Sequence, residues 1–122
     1  MMERIEEFTL DGKNFMYMDF SGISTDGDLI AQVELLKPVI AKYSENSLYT
    51  IANVDIRFDS NTKKIAVSFL EHNKPYVRHG AVIGFDGVKK LMVIIAMRIT
   101  GRTNVHFAYT KEDAINWLLK QD

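Results

Sequence analysis

No cysteine occurs among the 122 residues of this chain, which excludes disulfides, thiolate nucleophiles and Cys-ligated zinc together and fits a reducing compartment. The cytoplasm is therefore the expected location. Proline stands at only two positions, Pro38 and Pro75, and no stretch rich in Pro, Gly or Ser divides the sequence. No segment repeats itself, so a single domain over residues 1–122 is expected. Long apolar runs are missing as well: the longest, Leu91 to Met97, has seven residues, against the roughly 20 that span a bilayer. Membrane insertion is not expected. The first seven residues, Met-Met-Glu-Arg-Ile-Glu-Glu, are polar and acidic where an export signal needs a basic start and an apolar run. Neither G-x-G-x-x-G nor G-x-x-x-x-G-K-S/T stands at a strand exit, which excludes nucleotide binding by those routes. No motif calls for a cofactor.

What is present describes a soluble globular domain. Hydrophobic residues make up 47%, charged residues 25% and aromatics 11%, enough for one core that buries about two thirds of the surface of the unfolded chain. The net charge of −1 is not that of a general nucleic-acid binder. It hides an asymmetry, because residues 1–61 hold 5 Lys and Arg against 11 Asp and Glu, whereas residues 62–122 hold 10 against 5. If the halves form different faces, head-to-tail self-association or a charged partner is favoured; if they interleave in one sheet, the dipole vanishes.

The pattern of elements is α/β. Ile5 to Thr9 and Lys13 to Phe20 flank Asp11-Gly12, a hairpin turn pair. Thr25 or Asp26 caps a helix carrying Leu29, Ile30, Val33, Leu36, Val39 and Ile40 on one stripe to about Lys42, with a kink expected at Pro38. Leu48 to Val54 reads as a buried strand. Asp59 or Ser60 caps the next helix, which ends before Pro75, and Ala81 to Phe85 suits an inner parallel strand. Between Gly87 and Gly101, Val93-Ile94-Ile95 would suit a strand, but the length and the closing glycine predict a helix. Asn104 to Ala108 forms the last strand. Thr110 and Asp113 open the last helix with a reciprocal cap, and Tyr109 is expected to staple onto Ala114. The outcome is a mixed sheet of about five strands, an N-terminal antiparallel hairpin followed by β-α repeats, with four helices.

Few residues point to chemistry. Asp55, Arg57 and Asp59 alternate beyond the third strand, at the carboxyl ends where open α/β sheets bind ligands. An Asp and an Arg there also pair with each other or cap the next helix. Asp86 follows the fourth strand, at a helix start suited to an anion, but as a cap it fills that place itself. His72, His79 and His106 show no metal-ligand spacing. His72 and His79 read as solvated, and His106, between Val105 and Phe107, as a hydrogen-bonded structural group. A small enzyme would need Asp55, Arg57 and His79 to converge.

The strongest functional signal is the predicted helix with Leu91, Met92, Val93, Ile94, Ile95, Ala96 and Met97, apolar over more than one stripe. Other helices of the chain, a second copy or an apolar ligand must cover it. Met92, Ile95 and Met97 belong to this surface, and Met16 and Met18 are expected to join it and make it adaptable. A homodimer is the expected assembly.

Asp11-Gly12-Lys13, Tyr17-Met18-Asp19-Phe20-Ser21-Gly22, Lys74-Pro75-Tyr76-Val77 leading into Ala81-Val82-Ile83-Gly84, and Phe107 with Ala114-Ile115-Asn116-Trp117-Leu118 resemble the STAS-like, SpoIIAA-like family of small domains nearly end to end. The resemblance implies a regulatory or binding module rather than an enzyme, and a fold similar to some lipid-binding domains. Anti-sigma-factor antagonists of that superfamily carry a phosphorylated serine in an Asp-Ser-Ser/Thr-Gly motif. Here the stretch reads Asp55-Ile56-Arg57-Phe58-Asp59-Ser60-Asn61, without the glycine or the doubled hydroxyl, so the phosphoswitch is not carried over. The expected function is a non-enzymatic regulatory or binding module; a small apolar-ligand carrier and a small enzyme are the alternatives.

Overall fold

A computed structural model describes residues 4–122; of the seven residues read above against an export signal, 1–3 lie outside the described residues. The element order is β1 (Ile5–Leu10), β2 (Lys13–Asp19), α1 (Asp26–Ile40), β3 (Leu48–Asn53), α2 (Ser60–Asn73), β4 (Val77–Ile83), α3 (Gly87–Thr100), β5 (Val105–Phe107) and α4 (Lys111–Leu119). The five strands lie side by side in chain order; β1 and β2 are antiparallel and every later neighbour pair is parallel. This is the expected α/β architecture.

Sequential order fixes the layers. When each crossover is right-handed and steps in the same direction, all crossover helices fall on one face of the sheet. α1, α2 and α3 therefore form one layer, with α2 packed between its neighbours. Alternation along the strands divides the core accordingly. Met16, Met18 and Leu48 join Leu29, Val33, Leu36, Ile40 and Phe69 beneath that layer. Phe15, Tyr49, Ile51 and Ala81 point the other way, onto Ala114 and Leu118 of α4. The nine-residue α4 covers its face of the sheet from β3 and β4.

Local chemistry explains the boundaries. Asp11 and Gly12 both take positive φ, 50° and 75°, as the two-residue hairpin demands. Thr25, Asp59, Asp86 and Thr110 cap the four helices through side-chain oxygens. α3 closes in a Schellman turn: Gly101 adopts φ 72°, and the Arg102 amide donates to the Met97 carbonyl at 2.9 Å.

Several expectations need correction. α1 runs through Pro38 and ends at Ile40, short of the expected Lys42: the Ala41 amide still reaches the Lys37 carbonyl at 3.0 Å, but the Lys42 amide turns to Val39 in a tighter closing turn. β4 begins at Val77, since Val77, His79 and Gly80 pair with Leu48, Tyr49 and Thr50. Tyr109 does not staple α4: it is 88% exposed and tilts against Phe85, while Ala114 is fully buried. Met16 and Met18 lie in the core under α1 and do not join the outer surface of α3. No helix among the described residues is long and apolar enough to cross a membrane.

Candidate functional site

At the carboxyl ends of the strands the acidic residues are already engaged. Asp59 accepts from the amides of Asn61 and Thr62, both at 3.0 Å, and lies 3.6 Å from Arg57. The Thr62 amide, first among its partners, holds the Asp59 carboxyl below the usual carboxylate range. Asp86 takes the Lys89 amide at 2.9 Å, and its carboxyl is held down chiefly by that bond. Lys89 Nζ reaches Asp55 at 3.2 Å and Asp86 at 3.7 Å. Capping and ion pairing thus account for Asp55, Arg57, Asp59 and Asp86. Ser60, exposed, is the first residue of α2.

His79 is elsewhere. It pairs in register with Tyr49, at the start of β3, whereas Asp55 lies beyond the end of that strand at Asn53. Four residues at about 3.3 Å each separate the two ends by roughly 13 Å, so Asp55, Arg57 and His79 do not converge. The geometry needed for proton transfer among them is absent.

His79 belongs instead to a clasp on Asp122. Its Nε2 lies 2.9 Å from Asp122 Oδ1, Arg78 Nε donates to the Asp122 backbone oxygen at 2.5 Å, and the Tyr49 hydroxyl donates to the same oxygen. Lys13 adds bonds to the Leu119 and Gln121 carbonyls at 2.8 and 2.7 Å. The His79 contact, ahead of the Arg78 charge, lowers the Asp122 carboxyl. These links span the chain and no local pattern announces them. His106 stacks flat on Trp117, and among the described residues its ring makes no hydrogen bond. Among the described residues no three His, Asp or Glu side chains gather as a metal site requires.

The helical layer carries the exposed apolar surface. α3 buries Val93, Ala96 and Thr100, but Val88 (66%), Leu91 (58%) and Ile99 (58%) face outward, with Ile95 half-buried on the same stripe and Met92 and Met97 half-buried beside the buried side. Lys90 and Arg98 are exposed on this helix, and its residues 87–100 include no acid. α1 has the opposite sign: Ile30 (47%) and Leu35 (58%) are exposed among Asp28 and Glu34. A groove of about 220 Å³ between α1 and α2 is lined by Ile30, Val33, Glu34, Lys37, Lys64 and Ile65, with Lys37 paired to Glu34 at 3.0 Å.

Between this layer and the sheet lies an apolar pocket of about 100 Å³, lined among others by Met18, Phe20, Ile56, Phe69 and Val82. Ligand pockets for drug-sized molecules start at about 300 Å³, so a lipid chain does not fit here.

No family model and no curated protein matches the sequence. Among solved structures the chain is similar to the NMR structure of the protein TM1081, with a TM-score of 0.53 and 13% identity over 99% of this chain and 93% of that one. At that identity the likeness speaks for the fold alone. Fold and surface together define a small mixed-sheet α/β domain with one oppositely charged, apolar helical layer.

Proposed function

We propose that this protein is a non-enzymatic binding module of the STAS-like kind that works in the cytoplasm as a pair of copies, the basic apolar face of α3 in each lying on the acidic apolar face of α1 in the other. The observation that carries this reading is the exposure of Val88, Leu91 and Ile99 on one stripe, with Arg98 beside it and no acid in residues 87–100. Large side chains left more than half in water on one stripe mark an interaction surface. The occupant must be apolar and acidic, and α1 of a second copy is both.

Two further observations support the second copy. The groove between α1 and α2 offers about 220 Å³ for side chains such as Leu91 or Ile99. The charge asymmetry of the sequence, −6 in residues 1–61 and +5 in residues 62–122, is spread over α1 and α3 in that sense. A two-fold arrangement makes both α1–α3 contacts at once, as an isologous interface does. The engaged acids at the strand exits and the distance to His79 support binding rather than catalysis.

Native mass spectrometry of freshly purified protein tests this. A dimer mass for the wild type and a monomer mass for Leu91→Glu are expected, and a wild-type monomer at high protein concentration overturns the reading.

A further inference from the structure

The apolar pocket beneath the helical layer contains one charge. Arg102 is 5% exposed, and burial in carbon draws its guanidinium down to about 10, still protonated at neutral pH. Nε donates to Asn104 Oδ1 at 2.8 Å and Nη1 to the Leu70 carbonyl at 3.3 Å. A cation near the last carbonyls of α2 is favoured by the helix dipole. That accounts for one side of the fork only: among the described residues Nη2 has no hydrogen-bond partner and no carboxylate pairs with Arg102. A buried charge left without a counter-ion is costly.

The floor beside Nη2 carries no side chain at Gly80. Thr50, Gly80 and Val105 are register neighbours on β3, β4 and β5. A Cβ at Gly80 would stand 2.8 Å from Thr50 Oγ1 and 3.9 Å from Arg102 Nη2. With no side chain at Gly80, the Thr50 hydroxyl and the Arg102 guanidinium both approach its bare Cα, at a place too tight for even a methyl group. Among the described residues no side-chain nitrogen or oxygen is sealed off without a partner, so Nη2 and Oγ1 meet the pocket, whose lining includes Thr50, Gly80 and Arg102.

We infer that this pocket binds a small aliphatic monocarboxylate, its carboxylate reaching Arg102 Nη2 and the Thr50 hydroxyl and its hydrocarbon end among Met18, Phe69 and Val82. One cation and one hydroxyl match a monoanion, whereas a phosphate dianion asks for more donors. The size follows from the volume: about 100 Å³ suits a short chain and excludes a fatty acid, which would need a pocket of at least ~300 Å³. The site goes beyond self-association and does not depend on it.

Titration of ¹⁵N-labelled protein with sodium butyrate, followed by amide shifts, tests the assignment, with sodium chloride and 1-butanol as controls. Saturable shifts centred on Thr50, Gly80 and Arg102, with a Kd of roughly millimolar order for so few atoms, are expected from butyrate and not from the controls. Arg102→Gln is expected to weaken binding about tenfold or more. Should that variant fail to fold, Thr50→Val, equal in shape, is expected to weaken it about threefold or more. Absence of saturable shifts at these residues, or equal shifts from 1-butanol, overturns the inference.

Discussion

The imidazole of His106 lies flat on the indole of Trp117, ring centroids 4.1 Å apart and planes 1° from parallel. This contact joins the edge strand β5 to α4, the short helix that closes the second face of the sheet. Its stacking contribution should appear in a double-mutant cycle. His106→Ala, Trp117→Ala and the double variant, compared by urea unfolding, are expected to give a coupling of about 0.5–1.5 kcal/mol. Additive losses would show that the rings merely neighbour each other.

The core beneath α4 rests on few side chains. Leu118 is fully buried among residues of β2, β3 and β4, so Leu118→Ala is expected to cost about 2–5 kcal/mol in equilibrium unfolding. The same change at Leu119, only partly buried, is expected to cost less.

The element order was legible because the periods of apolar residues and the caps at Thr25, Asp59, Asp86 and Thr110 are local signals. Long-range relations were not. Arg78 and His79 look like a polar loop in sequence, yet they are strand residues whose side chains hold Asp122, more than forty positions away. Tyr109 looked like a staple because its spacing to Ala114 is right, but Phe85 offers it a ring. Arg102 carried no sign of burial, since a charge just after a helix normally meets water; the Schellman turn at Gly101 and the bonds to Asn104 and Leu70 place it inside.

The close approach of Thr50 makes Gly80 sensitive. Gly80→Ala puts a methyl group 2.8 Å from Thr50 Oγ1, an overpacking expected to cost about 1–3 kcal/mol. Thr50→Ala removes the opposing oxygen, so the double variant is expected to regain part of the loss. Thermal unfolding of the four proteins checks this, and strictly additive losses would contradict it.

Acid stability should depend on the caps of α2 and α3. Asp59 and Asp86 both titrate below their ordinary 3.8 in the folded protein. Their stabilisation is therefore complete above the unfolded value and is lost as pH falls through the lower folded values. Asparagine also caps well but does not titrate. The melting temperature of Asp59→Asn/Asp86→Asn is thus expected to fall less than that of the wild type between ~pH 5 and ~pH 3. Parallel pH profiles would exclude these carboxylates as the source.

The pairing of α1 with α3 across two copies is tested most directly by reversing charges on each face. Arg98→Glu gives a chain with two acidic faces, and Asp28→Lys/Glu34→Lys gives one with two basic faces. Each should repel its own kind and accept the other. Sedimentation velocity is expected to show a wild-type dimer, each variant alone as a monomer, and a one-to-one heterodimer on mixing. A monomeric wild type, or variants that dimerise alone as well as they do mixed, would contradict the account.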